Sequence, residues 1–221
     1  MTAGPIPAPE RDCALCPRLV AFRAANRAAE PGWWNAPVPS FGATEAALLV
    51  VGLAPGLRGA NRTGRPFTGD YAGVLLYETL LRHGFAAGGY GAEAADGLEL
   101  RDARVTNAVR CVPPENRPLP AEERACLGFL RAELAAMPRL RAVLALGGLA
   151  HRAVLRAWGV RQAAAPFAHG AVHELAGRPA LADSYHVSRY NTNTGRLTAA
   201  MFDAVVGRLR ARLGGSRAGV S

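Results

Sequence analysis

Four short apolar runs constrain the architecture of this chain. They lie at 46–52 (AALLVVG), 103–109 (ARVTNAV), 142–146 (AVLAL) and 179–186 (PALADSYH). Each is too short for a buried helix, and the first and third lack the alternation of a strand with one wet face. Near-continuous apolar runs of this length mark parallel strands covered on both sides. Before, between and after them, helical patterns run over 17–30, 71–83, 120–137, 150–158 and 196–213. Local signals agree. Pro17 and Pro120 suit a first helical turn, Glu122 and Glu123 suit the positive end of the helix they open, and Asp70 is an N-cap residue type. Strands alternating with helices predict an α/β fold, a three-layer α/β/α sandwich on a short central parallel sheet. No linker or repeat interrupts it, so one domain is expected over 11–213. The lead at 1–10 and the tail at 214–221 are expected to be disordered. Residues 84–98, rich in Gly and Ala, read as surface.

In such sheets ligands sit outside the carboxyl ends of the strands. Polar loops follow three of the four runs, after Gly52, after Asn107 and after His186, and are expected to meet at one crevice. The last (SYHVSRYNTNTGRL, 184–197) is the most polar stretch of a chain that is 50% hydrophobic.

The formal net charge is +9 and the sequence contains no Lys, so all 26 basic residues are Arg. Coding bias is one of two accounts of Arg in place of Lys, but it does not explain the excess of positive charge. Arg forks match phosphate oxygens, which points to a nucleic-acid partner. No apolar run reaches the roughly 18 residues of a membrane span. The opening MTAGPIPAPERD has no apolar core of a signal peptide. A cytoplasmic monomer with no membrane partner is expected.

The four cysteines, Cys13, Cys16, Cys111 and Cys126, are poor disulfide candidates in a reducing compartment. One Cys-x2-Cys pair plus two isolated thiolates fits an iron–sulfur cluster. Zinc, which more often takes two Cys-x2-Cys knuckles, and unrelated cysteines stay open on spacing alone. All four meet only if the first helix packs beside the loop after the second strand.

CxxCPRLV (13–20), GLAPG (52–56), NRTGRPFTGD (61–70), TNAVRCVPPENRP (106–118) and HVSRYNTNTGRLT (186–198) occur in this order. With them the chain resembles the uracil-DNA glycosylase superfamily, and within it the iron–sulfur branches, most closely the B-type or family 5 enzymes. The resemblance covers about Cys13 to Thr198. It implies a [4Fe–4S] cluster on the four cysteines, with zinc as the second candidate. It also implies hydrolysis of the bond between uracil and deoxyribose in DNA during base-excision repair, leaving an abasic site. Hypoxanthine and other deaminated bases are further substrates to consider. The partner is double-stranded DNA, with single-stranded DNA as a second form. A base inside a duplex must first be flipped out.

The resemblance also assigns roles. Phe67 stacks on the extruded base, and its loop, dense in Gly, Thr and Arg, is a poor setting for a core residue. Asn107 reads the uracil edge, and Gly52 lets the backbone approach closely. Asp70 stabilises the sugar cation or activates water, a role that competes with capping the helix at 71. Asn116 is the second polar candidate. His186 donates to O2 of the departing base. Arg62, Ser188, Arg189 and Thr192 contact the DNA backbone, and Tyr190 wedges into the base stack. Three departures stand out. Asn107 lies where B-type members often carry a small apolar residue, which narrows the expected range toward uracil. Leu53 cannot activate water. Val187 replaces the usual Pro. The remaining histidines, 83, 151, 169 and 173, read as structural or surface residues.

Two other readings fit parts of the sequence. A metal-stabilised nucleic-acid-binding module without catalysis suits the cysteines and charge. It does not require Phe67, Asn107 and His186 at three strand ends. An acyl hydrolase built on Ser184 or Ser188 with His186 and Asp183 lacks a G-x-S-x-G elbow.

Overall fold

The computed structural model describes residues 6–214. Residues 1–5 of the expected lead and 215–221 of the expected tail lie outside that range. In chain order the elements begin with α1 (Pro17–Ala29), β1 (Leu48–Gly52), α2 (Ala60–Thr63), α3 (Tyr71–Arg82), β2 (Ala86–Ala87), β3 (Glu99–Leu100) and β4 (Ala103–Asn107). They continue with α4 (Pro120–Ala136), β5 (Ala142–Leu146), α5 (Gly148–Trp158), β6 (Val172–His173), β7 (Ala180–Ser184), α6 (Arg189–Asn193) and α7 (Ala199–Gly214).

The main sheet has the order β4-β1-β5-β7-β6. β1 pairs in parallel with β4 and β5, and β5 with β7, as the apolar runs predict. The fifth strand was not legible: β6 is two residues long and antiparallel to β7 at the edge, too short for any periodicity. From β1 the chain crosses to β4 on one side and then to β5 on the other, so the carboxyl end of β1 adjoins the switch point where α/β sheets bind ligands.

One core layer joins Leu48, Val50, Leu144, Leu146 and Ala182 of the sheet to Leu76, Tyr77 and Leu80 of α3 and Phe202, Val206 and Leu209 of α7. The other joins Leu49, Val51, Val143 and Ala145 to Leu130 of α4 and Val154, Leu155 and Trp158 of α5. Alternate residues of β1 and β5 therefore face opposite helical layers, which is why those two runs carry no polar positions. None of the described helices is long and apolar enough to cross a membrane.

Three expectations are corrected here. Residues 84–98 are not merely surface: Phe85, Ala86 and Leu98 are buried, and β2 pairs with β3. The polar loop after β7 folds into α6, capped by Ser188, whose hydroxyl accepts the Asn191 amide at 3.4 Å. The last helix accordingly starts at 199 rather than 196, and Gly214 belongs to it rather than to a tail. A five-residue helix is shorter than the window in which periodicity can be read.

Candidate active site and cysteine recess

Gly52 closes β1, and Asn107 closes β4 directly beside it in register. A Cβ on Gly52 would lie 2.4 Å from the Phe67 ring and 2.5 Å from Asn107 Oδ1. Only glycine lets ring and amide approach the strand end together. Asn107 is buried, and its Oδ1 has no hydrogen-bond partner. An unpaired buried amide oxygen is unfavourable unless something fills the space it faces.

Phe67 adopts a left-handed backbone, φ 51°. For a non-glycine residue this conformation persists only where the surroundings over-determine it. Its ring is 7% exposed and belongs to the core layer beneath α3 and α7. The expectation that its loop keeps it out of the core is therefore corrected. The ring centre lies 6.1 Å from that of His186 at 34°, so Phe67 joins the core to the crevice.

His186 follows β7. Gly147, after β5, donates its N–H to the Ser184 carbonyl at 2.8 Å, and a Cβ there would come to 3.4 Å from the His186 Cβ. The Asn191 side chain donates to the His186 carbonyl at 2.8 Å. Val187, where the family has Pro, is fully buried and ties the loop to the core instead. His186 is half-buried. Burial lowers its pKa to about 4, so the ring is neutral across the physiological range.

Asp70 holds the N-cap position of α3, but its side chain makes no cap bond. Its Oδ1 is buried without a partner. Oδ2 faces the loop after β1, where a Cβ on Gly56 would lie 2.9 Å away and one on Gly59 2.2 Å away. Burial raises the Asp70 pKa, against the pull of the nearby Gly73 and Ala72 amides. Asn116 is exposed, in a one-turn 3-10 helix (Pro114–Asn116), with φ 56°.

The rim is polar and aromatic. Tyr190 is 72% exposed on α6, and the Arg189 guanidinium lies 5.3 Å from the ring centre of Tyr71. Arg62 pairs with Glu93 at 3.0 Å. This exposed pair is worth at most about 1 kcal/mol and opens readily for a stronger anion. The Ser188 hydroxyl caps α6, and that of Thr192 donates to the Arg189 carbonyl at 3.0 Å. Part of the positive charge does not face outward at all: Arg23, Arg65 and Arg110 are buried.

The acyl-hydrolase arrangement is absent. Asp183 accepts from His151 Nδ1 at 2.6 Å and His173 Nε2 at 2.9 Å, and Ser184 is buried. His151 Nε2 also meets the Ala165 carbonyl at 2.8 Å, so the two histidines brace β7 from behind. Nothing in the sequence pairs these residues.

The four cysteines line one recess together with Leu15, Leu19 and Arg23. α1 lies against the β4 end and α4: Leu19, Val109 and Cys126 form a small apolar cluster. Arg18 clamps the two helices by a paired contact with Glu122 at 2.8 Å, and Glu122 also accepts the Leu119 N–H at 2.7 Å. Donors point at the sulfurs: Arg23 reaches Cys111 Sγ at 3.7 Å, and the Arg110 N–H reaches Cys126 Sγ at 3.4 Å. Among the described residues no three of these sulfurs lie within 4.8 Å of one another. Sulfurs around one tetrahedral zinc sit about 3.8 Å apart, from Zn–S bonds of about 2.3 Å. No three of the sulfurs are therefore spaced as ligands of one tetrahedral zinc. Burial pushes the Cys16 thiol up to about 11 and the Cys111 thiol up to about 12, and raises Cys126 as well.

Comparison with known proteins gives consistent matches. The family model described as uracil DNA glycosylase superfamily matches residues 39–210. A type-5 uracil-DNA glycosylase of Thermus thermophilus is 49% identical over 196 residues, 86% of this chain and 89% of that protein. One from Pyrobaculum aerophilum is 45% identical, over 92% of this chain and 90% of that protein. A type-4 uracil-DNA glycosylase of the same archaeon is 35% identical over 56% of each chain.

Proposed function

The chain belongs to the uracil DNA glycosylase superfamily, and on that premise we propose how its crevice excises uracil from DNA. The observation that carries the reading is the pair of buried, partnerless oxygens, Asn107 Oδ1 and Asp70 Oδ1, beside a neutral His186 and the ring of Phe67. Such a set has unmet hydrogen-bonding capacity inside a partly apolar enclosure. An extruded pyrimidine supplies the missing partners.

The flipped base stacks on Phe67, worth about 1–3 kcal/mol. Asn107 donates to uracil O4 and accepts from N3–H, a pattern that cytosine reverses. As the glycosidic bond breaks, its electron pair stays with the base. His186 donates to O2, where the charge collects, and needs no proton beyond its neutral one. The Asp70 carboxylate stabilises the cationic sugar and accepts a proton as water bonds to C1′. Asn116, exposed on its turn, serves the sugar-phosphate backbone rather than the base. Tyr190 fills the gap in the stack, with Tyr71 and Arg189 beside it, and Arg62, Ser188 and Thr192 border the strand. Ser188 and Thr192 must share hydroxyls already used within α6, so their contribution is the smaller. The DNA partner is double-stranded with deaminated bases, single-stranded DNA is a second form, and the protein acts as a monomer.

The cysteine recess is assigned a [4Fe–4S] cluster rather than zinc, on the spread of the sulfurs and the donors aimed at them. When bound, the cluster contributes cross-linking of α1, the β4 loop and α4, and no step of hydrolysis passes through it. The module without catalysis is disfavoured, since it gives no reason for the two partnerless oxygens.

Excision measured as abasic-site formation across uracil, hypoxanthine, xanthine and thymine tests the reading. Asn107→Ala is expected to lower kcat/KM on uracil by about 1–3 kcal/mol, roughly 5- to 150-fold, while sparing hypoxanthine. Equal loss on both bases would remove Asn107 from base reading. The pH profile is a second test. Because His186 is neutral above its lowered pKa, kcat/KM should show no limb at the ordinary imidazole value of about 6.5. A limb there that vanishes in His186→Gln would require a charged imidazole.

A further inference from the structure

This inference rests on Phe67 as the stacking ring and concerns what holds it in place. Residues 64–68 form no helix or strand, yet side-chain hydroxyls reach their carbonyls in turn. Tyr77 donates to Pro66 O at 2.6 Å and Tyr90 to Phe67 O at 3.2 Å, and the Thr63 hydroxyl faces Arg65 O and Thr68 O at 3.4 and 3.2 Å. A Cβ on Gly73 would lie 1.9 Å from the Phe67 carbonyl oxygen and 2.1 Å from the Tyr90 hydroxyl, so α3 is opened there to admit both.

A buried guanidinium organises this frame. Arg65 forks onto Asp96 through Nη1 at 2.8 Å and Nη2 at 2.6 Å, and each side chain is only 5% exposed. Its Nε donates to Thr68 Oγ1 at 2.8 Å. The ring centres of Phe41, Tyr77 and Tyr90 lie 5.1, 5.5 and 5.9 Å from it. Asp96 also accepts the Gly91 and Leu98 amides at 2.9 and 3.0 Å, which ties the segment between β2 and β3 to the Phe67 turn. A buried ion pair seldom stabilises a fold more than apolar packing of the same volume. Its distinctive property is direction: the planar fork admits one orientation, which a lysine cannot copy.

We propose that Arg65 and Asp96 are positioning residues for Phe67, holding the left-handed turn so that its ring meets the extruded base without rearrangement. The test is a double-mutant cycle on uracil-containing duplex, run at a temperature where circular dichroism shows every variant folded. Arg65→Lys and Asp96→Asn are each expected to lower kcat/KM by about 10- to 100-fold. Affinity for abasic product DNA, which has no base to stack, should stay unchanged. In a Phe67→Ala background Arg65→Lys should add less than about twofold, the non-additivity of residues acting as one unit. Equal losses in both backgrounds, or a parallel loss of abasic-DNA affinity, would reduce the pair to general structural support and overturn the proposal. Should Arg65→Lys fail to fold, Tyr90→Phe, which removes only the hydroxyl on the Phe67 carbonyl, decides the same cycle. A Phe67→Ala protein as active as the parent would end the stacking reading itself, and this inference with it.

Discussion

Asp70→Asn is expected to remove most excision activity and at the same time raise the melting temperature. The carboxyl is largely buried, Oδ1 has no partner, and burial raises its pKa. Deprotonated, it is a buried charge that the two nearby amides only partly offset. The amide variant keeps the shape and loses the charge. Without it the cationic sugar loses its nearest counter-charge, and kcat/KM should fall by about 100- to 1000-fold, the range for removing one preorganised electrostatic group.

The stability change has a definite sign. A carboxyl whose folded pKa exceeds its unfolded value favours the folded state fully below the unfolded pKa. That advantage is lost as pH rises through the folded pKa. The Asn variant has no such loss. Its melting temperature should match the parent at acid pH and exceed it at neutral pH, by about 2–4 °C for each kcal/mol gained. Calorimetric scans across pH, beside excision rates, test both halves. A variant that is inactive but less stable at every pH would show that Asp70 is chiefly a helix cap after all.

Cys126→Ser should have the largest effect on the fold. Cys126 is 7% exposed on α4, packed on Leu19 of α1 and Val109 after β4. The four cysteines draw together three segments far apart in sequence. Burial favours the protonated thiol at Cys16, Cys111 and Cys126, so the fold alone does not stabilise the thiolates. In the proposed site the bound group would do so, and its binding energy would then become folding energy. Loss of a ligand should remove the visible absorption of an iron–sulfur centre together with measured iron. It should lower stability by about 4 kcal/mol or more, a fall of roughly 8–16 °C in melting temperature. Purified parent protein that holds zinc and no iron would refute the assigned cluster. Cys126→Ser with unchanged melting behaviour would refute the cross-linking role.

Much of the crevice was legible because its parts are local. Gly52, Asn107 and His186 stand at the ends of apolar runs, and a run buried on both faces announces itself through composition alone. The cysteine pair within one turn was equally plain. What held these groups was not legible. Arg65 and Asp96 are 31 residues apart, Arg104 and Glu133 29, Arg110 and Glu133 23, and His151 and Asp183 32. No periodicity marks such pairs, since each side chain sits in an ordinary local context. Phe67 shows the same limit. Its loop composition argued against a core position, yet its left-handed turn is held by hydroxyls from α3 and from the segment between β2 and β3, and its ring lies in the core.

The sequence by itself determined the layered α/β architecture, the strand ends that border the crevice, and the cysteines that line one recess, because burial pattern and local spacing express these directly. Only the tertiary structure decided which buried charges find each other, which oxygens are left without partners, and which way Phe67 faces. Those outcomes depend on contacts between segments that no local window contains, and they exist only once both helical layers close on the sheet.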